Sequence, residues 1–451
     1  MQTLVKSKGF LGAFFTETET VDGENNNGKT VDSVDFELAD EDPIFKLLHE
    51  YRLDLRDNKI DLGIGVYRND DNQSPVFSAV KAAEQWRIDN EADKAYIGPL
   101  GNLDFCQALV DLIFSDNPLL LERLSYAQTP GGVGALRLAF ELIHNANPKA
   151  ILWVSDISWQ VHRPIAHAVG LQTKNYPYFN AFDPNVINDD ASMPSRKPFE
   201  LTLAALKQAK AGDAILLQAS CHNPTGMDFT QQQWSELARL CRQQNVLPII
   251  DMAYHGLGEG LKAECEGLLT LSRHVPELLL CYTCSKNFGL YRDRAAMLVV
   301  MSSDNTHRAQ IEKQLIQHAT RHYFTPPAHG AALVLRILQH PPLKQQWLKE
   351  LALIRVRLKT IREQLAMALN PSAINVTQRA WHYLTEGNGM FALLPLKPSE
   401  IETLKQDYGI YIVGNGRANL SGINSKNIDQ FVAAVSAVTN TAETSAAEKK
   451  A

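Results

Sequence analysis

No apolar run in this 451-residue chain approaches the ~18 uninterrupted residues of a membrane-spanning helix, so a membrane-embedded role is set aside. Cysteine is scarce as well. The six thiols, at 106, 221, 241, 265, 281 and 284, lack the spacing of a disulfide framework and fit a reducing compartment. Only Cys281-Tyr-Thr-Cys284 could pair. A zinc or redox reading would need a second pair or a partner histidine motif, and on a strand this spacing puts the two thiols on opposite faces. An excess of positive charge is also missing: the formal net charge is -6, which gives nucleic acid no footing. The deficit is local, because residues 1–42 hold ten acidic side chains against three lysines and leave the remainder near +1. The opening MQTLVKSKGFLGAFF has no small-residue cleavage site, and the acidic, Asn-rich run after it is unlike an organelle transit peptide. A cytoplasmic location is expected, with no membrane partner.

What the chain does have is apolar material, at 45% hydrophobic residues, enough for two or three domains. Composition predicts disorder for residues 1–42 and for the polar tail TNTAETSAAEKKA, residues 439–451. Between them, AILWVS (150–155), AILLQAS (214–220), LPIIDMAY (247–254), LLLCYT (278–283) and AAMLVVM (295–301) alternate with amphipathic stretches such as FTQQQWSELARLCRQQN. Continuous apolar strands separated by helices predict an α/β fold with a mostly parallel sheet covered on both faces. The segment KQQWLKELALIRVRLKTIREQLAMAL reads as one long helix bridging two units. GMFALLP and YGIYIVGNGRANLSGI predict a short sheet in a smaller C-terminal unit.

Ligands in α/β sheets bind beyond the carboxyl ends of strands, and four such ends carry unusual residues. Asp251 and Tyr254 follow LPII, Asn223 follows AILLQAS, Ser285 and Lys286 follow LLLCYT, and Trp159 follows AILWVS. Taken singly, each has a bland explanation as turn, core or solvated residue. In combination they match what a carbonyl cofactor with a pyridine ring requires: a lysine for covalent attachment, an anion for the ring nitrogen, donors for a phenolic oxygen and a phosphate cradle. Thr-Pro-Gly131-Gly132-Val-Gly134 leads into a helical pattern whose first amides could hold an anion, with Arg294 as a second source of positive charge. That turn matches neither the dinucleotide fingerprint nor the P-loop.

In LGIGVYR, YIGPLGNLDF, QTPGGVGALR, SCHNPTGMDF, DMAYHG, SKNFGLYRDR, TPPAHGA, NGMF and NGRANLSG, the chain resembles the aspartate/aromatic (tyrosine) aminotransferase family, class I, from about residue 43 to 436. The resemblance implies a fold-type I homodimer that uses pyridoxal 5'-phosphate to exchange an amino group between an amino acid and a 2-oxo acid. It implies a large domain at 75–354 with a mainly parallel seven-stranded sheet, and a smaller α/β domain from 43–74 and 355–438. It also implies roles: Lys286 as cofactor-bearing lysine and base, Asp251 as partner of the ring nitrogen, His162 behind that aspartate, and Asn223 and Tyr254 as donors to the ring oxygen. Trp159 would stack on the ring, while Gly132, Thr283, Ser285 and Arg294 would contact the phosphate. Tyr96 would reach the phosphate of the neighbouring subunit. Arg417, helped by the backbone of Gly65, would grip the substrate α-carboxylate.

The chain departs from this pattern where substrates are told apart. The family arginine for a distal carboxylate falls at Thr320, with Arg321 beside it, and adjacent residues on one element do not share a direction. Ala95, Thr325 and Val133 likewise replace polar family residues. Such a pocket is expected to favour aromatic or aliphatic amino acids over aspartate. The alternative is aspartate:2-oxoglutarate transfer with Arg321 as the replacement cation. A pyridoxal phosphate β-lyase on the same scaffold and a non-enzymatic binding protein are further alternatives. Finally, His318-Ala-Thr-Arg-His322 has the i,i+4 spacing of a zinc site but neither the following glutamate nor an evident third ligand, so solvated helix histidines and no metal are expected.

Overall fold

The computed structural model describes residues 43–114, 118–178, 199–369 and 381–448. The expected disorder of residues 1–42 lies outside them. After a two-residue strand β1 (Ile60–Asp61), the main sheet is assembled from β2 (Leu124–Pro130), β3 (Ile151–Ser155), β4 (Gln172–Tyr176), β5 (Ala214–Gln218), β6 (Leu247–Met252), β7 (Leu278–Thr283) and β8 (Ala295–Met301). Their spatial order is β2-β8-β7-β6-β5-β3-β4. All neighbours are parallel except β8, which runs antiparallel to both β2 and β7. The five apolar runs of the sequence are β3, β5, β6, β7 and β8. Every residue of β5, β7 and β8 is buried, as expected for strands covered on both faces.

Side-chain alternation sorts these strands into two cores. Leu278, Leu280 and Tyr282 face one core with Met297 and Val299, whereas Leu279 and Cys281 face the other with Leu298 and Phe140. Cys284 belongs to the first core and Cys281 to the second, so the two thiols lie on opposite sides of the sheet. The helix Gln231–Gln244 starts on a Thr230/Gln233 capping box and stops at Asn245, which takes the left-handed conformation with φ 53°.

One helix, Pro341–Leu369, joins the main core to a further one. Trp347, Leu351, Ile354 and Leu358 pack in the main core; Ile361, Leu365 and Leu369 pack with Trp381, Leu404 and Phe431. Next to Ile361 on this helix, Arg362 is buried and donates to the carbonyls of Leu384, Asn388, Gly389 and Phe391. A buried guanidinium is tolerated when its donors are occupied in this way.

Two sequence expectations change here. The short C-terminal sheet is two separate ladders: β9 (Phe391–Leu393) is antiparallel to β11 (Arg417–Asn419), while β10 (Ile410–Tyr411) is parallel to β1. Pairing with β1 stitches the start of the described chain to its end. The tail expected to leave the fold at 439 instead continues a helix, Ile428–Glu448. Extending a formed helix fixes one residue per hydrogen bond, and the alanines and glutamates of this stretch have high helix propensity.

Candidate active site

The carboxyl ends of β5, β6 and β7 open onto a cavity of about 190 Å³. Gly65, Gly132, Trp159, Asn223, Asp251, Tyr254, Thr283, Ser285, Lys286, Arg294 and Arg417 all line it. These residues come from segments far apart in sequence, and the sheet register explains their meeting. Gln218 at the end of β5 pairs with Asp251 on β6, and Asp251 pairs with Cys281 on β7.

Asp251 is buried on the cavity floor. Its Oδ2 lies 3.1 Å from His162 Nε2, and His162 Nδ1 lies 2.7 Å from Ser158 Oγ. His162 is wholly buried and holds the carboxylate from behind. Trp159 meets the His162 ring edge-on at 5.3 Å. On the opposite wall, Asn223 Nδ2 donates to Tyr254 OH at 3.2 Å. The turn carrying Asn223 is clamped by reciprocal bonds with Gln218, each 2.9 Å. Asn223 Oδ1 is buried with no protein partner, which suits a residue whose amide faces a ligand.

Lys286 stands on the turn after β7. Asn287 donates to Tyr282 OH, Trp347 Nε1 donates to the Asn287 carbonyl at 2.7 Å, and Phe288 stacks on Trp347 at 4.5 Å. The backbone that presents Lys286 is thereby fixed from the main core. Its Nζ lies 5.1 Å from the centre of the Tyr254 ring. Burial pulls the Lys286 ammonium down to about 8, with Asp251 opposing and Arg294 and Arg417 assisting. Burial likewise raises the Tyr254 hydroxyl, which stays protonated as a donor.

At one end of the cavity, the helix Gly131–Ala146 starts without a side-chain cap. Its first amides, the hydroxyls of Thr283 and Ser285, 3.0 Å apart, and the Arg294 guanidinium form an anion cradle. Gly131, with φ 77°, is packed against the Arg294 guanidinium so closely that a side chain there would collide with it. Arg294 itself adopts φ 54°, unusual for a non-glycine residue and typical of a functional site.

At the other end, Arg417 is buried on β11. It donates to the Gly63 carbonyl, and its guanidinium stands 4.8 Å over the Phe391 ring. Phe391, Ile44, Val133 and Leu136 add an apolar wall. Phe391 was not singled out by sequence reasoning; its one signal was its place in the strand pattern GMFALLP.

Five predicted positions stand apart. Tyr96 is 83% exposed, touches Phe324 edge-on and does not line the cavity of its own chain. Thr320 and Arg321 are both exposed on the helix Arg308–His322, also away from it. Ala95 and Thr325 lie outside it too. The reading of His318 as a solvated histidine is corrected: the helix packs against the helix Gly131–Ala146, which buries it.

A buried lysine, a carboxylate, an indole, a helix N-terminus with an arginine beside it and a second guanidinium at the far end fit pyridoxal phosphate and an amino acid. Residues 57–435 match the family described as aminotransferase class I and II. The sequence is 39% identical to the tyrosine aminotransferase of Rhizobium meliloti over 85% of this chain and 94% of that protein. It is 35% identical to the aspartate aminotransferase of Salmonella typhi over 89% and 98%. The fold is similar to the aromatic-amino-acid aminotransferase from Burkholderia pseudomallei covalently bound to pyridoxal phosphate, with a TM-score of 0.83, 30% identity and coverage of 90% and 99%. The chain belongs to the class I aminotransferase family, pyridoxal phosphate-dependent enzymes that transfer an amino group between an amino acid and a 2-oxo acid.

Proposed function

We propose that this aminotransferase prefers amino acids with aromatic or other apolar side chains over aspartate, and that it works as a cytoplasmic homodimer. The carrying observation is the set of charges on the cavity wall. Among the described residues, its cations are Lys286, Arg294 and Arg417. Lys286 is taken by covalent attachment, Arg294 by the phosphate and Arg417 by the α-carboxylate. Within one chain none is left for a distal carboxylate, and the wall of Ile44, Val133, Leu136 and Phe391 suits an apolar side chain.

When bound, pyridoxal phosphate supplies the electron sink that accepts the pair released at the substrate Cα. The remaining work falls to the protein. Asp251, braced by His162, would keep negative charge where the ring nitrogen lies. Asn223 and Tyr254 would donate to the ring oxygen, and Trp159 would cover one ring face. Gly132, Thr283, Ser285 and Arg294 would hold the phosphate. Arg417, with the backbone of Gly65, would fix the substrate carboxylate so that the Cα–H bond faces Lys286 Nζ. Its lowered proton affinity leaves that amine able to take the Cα proton and return it.

Dimerisation is supported by Tyr96, which is exposed, does not line its own cavity and would complete that of a second copy. The cytoplasmic reading is supported by six cysteines that are all free and buried. A single-turnover panel of phenylalanine, tyrosine, leucine, glutamate and aspartate tests the substrate preference. Phenylalanine and tyrosine are expected to show the higher catalytic efficiency. A preference for aspartate would overturn the reading and favour Arg321 as the distal cation.

A further inference from the structure

We propose that Glu141, His318 and His322 form a binding site for one divalent transition metal ion, with Zn²⁺ as the natural occupant. The two histidines are one turn apart on the helix Arg308–His322, and Glu141 belongs to the helix Gly131–Ala146 packed against it. His318 Nδ1 and His322 Nε2 both point at a single atom, Glu141 Oε2, from 2.9 and 2.6 Å. The three candidate ligand atoms all lie within 4.8 Å of one another. Two imidazole nitrogens and a carboxylate oxygen are a borderline donor set, suited to zinc and its neighbours and unsuited to Mg²⁺ or Ca²⁺, which take oxygen ligands.

The surroundings of the cluster resemble the outer contacts that fix metal ligands. Asn145 Nδ2 lies 2.9 Å from His318 Nε2, so a turned amide would accept the remaining ring N–H. Arg137 Nε donates to Glu141 Oε1 at 2.8 Å, which orients the carboxylate and leaves Oε2 for the ion. Bonds of about 2.0–2.1 Å in a tetrahedral site put ligand atoms about 3.3 Å apart. The cluster therefore has to open by roughly half an ångström, within reach of small side-chain rotations. The fourth position is available to water: His322 lines a groove of about 550 Å³ with Pro130, Arg137, Pro164 and Tyr323, which is also the entry path. The nearby Arg137 charge lowers affinity below that of a closed four-ligand site. The helix carrying Glu141 begins at Gly131 and Gly132 in the anion cradle, so an ion here would brace the cradle's helix against its neighbour.

The test uses untagged holoenzyme, stripped with a chelator and titrated with ZnCl₂ by calorimetry, alongside His322→Gln and Glu141→Gln. Wild type is expected to bind one Zn²⁺ per chain and to gain a few degrees in thermal midpoint. His322 is partly exposed, so its variant keeps the fold, shown by an unchanged cofactor absorption band. That variant is expected to lose zinc affinity at least tenfold, together with the thermal shift. Absence of saturable binding, or equal affinity in the two variants and wild type, would overturn the proposal.

Discussion

Replacing Arg417 by lysine keeps the charge and removes the fork, and the structure fixes what that costs. The guanidinium is buried on β11, tied to the Gly63 carbonyl and supported by the Phe391 ring at 4.8 Å, so it is held in one orientation before a substrate arrives. A planar fork gives a carboxylate two parallel charge-assisted bonds, whereas an ammonium gives one. Losing one such bond is worth about 1.5–3 kcal/mol, which is roughly 10- to 150-fold in kcat/KM. Because every amino acid carries the α-carboxylate, the factor is expected to be the same for phenylalanine, tyrosine and aspartate. Steady-state kinetics of Arg417→Lys on the three substrates, with cofactor content checked by absorbance, measures it. A loss confined to aspartate would assign Arg417 to the side chain and refute the α-carboxylate role; a loss below threefold on all three would refute any direct contact.

The remaining predictions concern charge and specificity. Since burial brings Lys286 to about 8, its amine is protonated and unreactive below that pH and neutral above it. The rate at which cofactor-free enzyme captures pyridoxal phosphate is therefore expected to rise with pH around 8; an inflection near the ~10.4 of a solvated lysine would contradict the burial argument. In the proposed homodimer Thr320, like Tyr96, would serve the cavity of a second copy, so Thr320→Arg is expected to raise kcat/KM for aspartate and glutamate at least tenfold while leaving phenylalanine within about threefold, because a distal carboxylate gains a charge-assisted partner. An unchanged aspartate rate would show that this position does not reach the side-chain pocket. Arg362→Met leaves the carbonyls of Leu384, Asn388, Gly389 and Phe391 without their donors, each such loss costing about 1–3 kcal/mol. Denaturant unfolding is expected to show a clear drop in midpoint.

How much of this was legible in the sequence follows from which forces are local. The strands β5, β6, β7 and β8 announce themselves because burial on both faces demands continuous apolar residues. The edge strand β4, QTKNY, does not, because only Tyr176 of its five residues is buried. Asp251, Asn223 and Lys286 could be found because a strand end delivers each to the crevice. Phe391 and Ile44 could not, since apolar residues look the same whether they line a cavity or fill a core. The meeting of Glu141 with His318 and His322 depends on how two distant helices pack, and no local pattern records it. Tyr96, Thr320 and Arg321 were singled out by resemblance alone, and the cavity of one chain does not include them.

The central claim is that Lys286 is the residue covalently joined to pyridoxal phosphate. Borohydride reduction of the holoenzyme followed by peptide mapping tests it directly. A single pyridoxyl label is expected on the peptide containing Cys284-Ser285-Lys286, lost in Lys286→Ala. A label on another lysine, or full turnover by that variant, would contradict it.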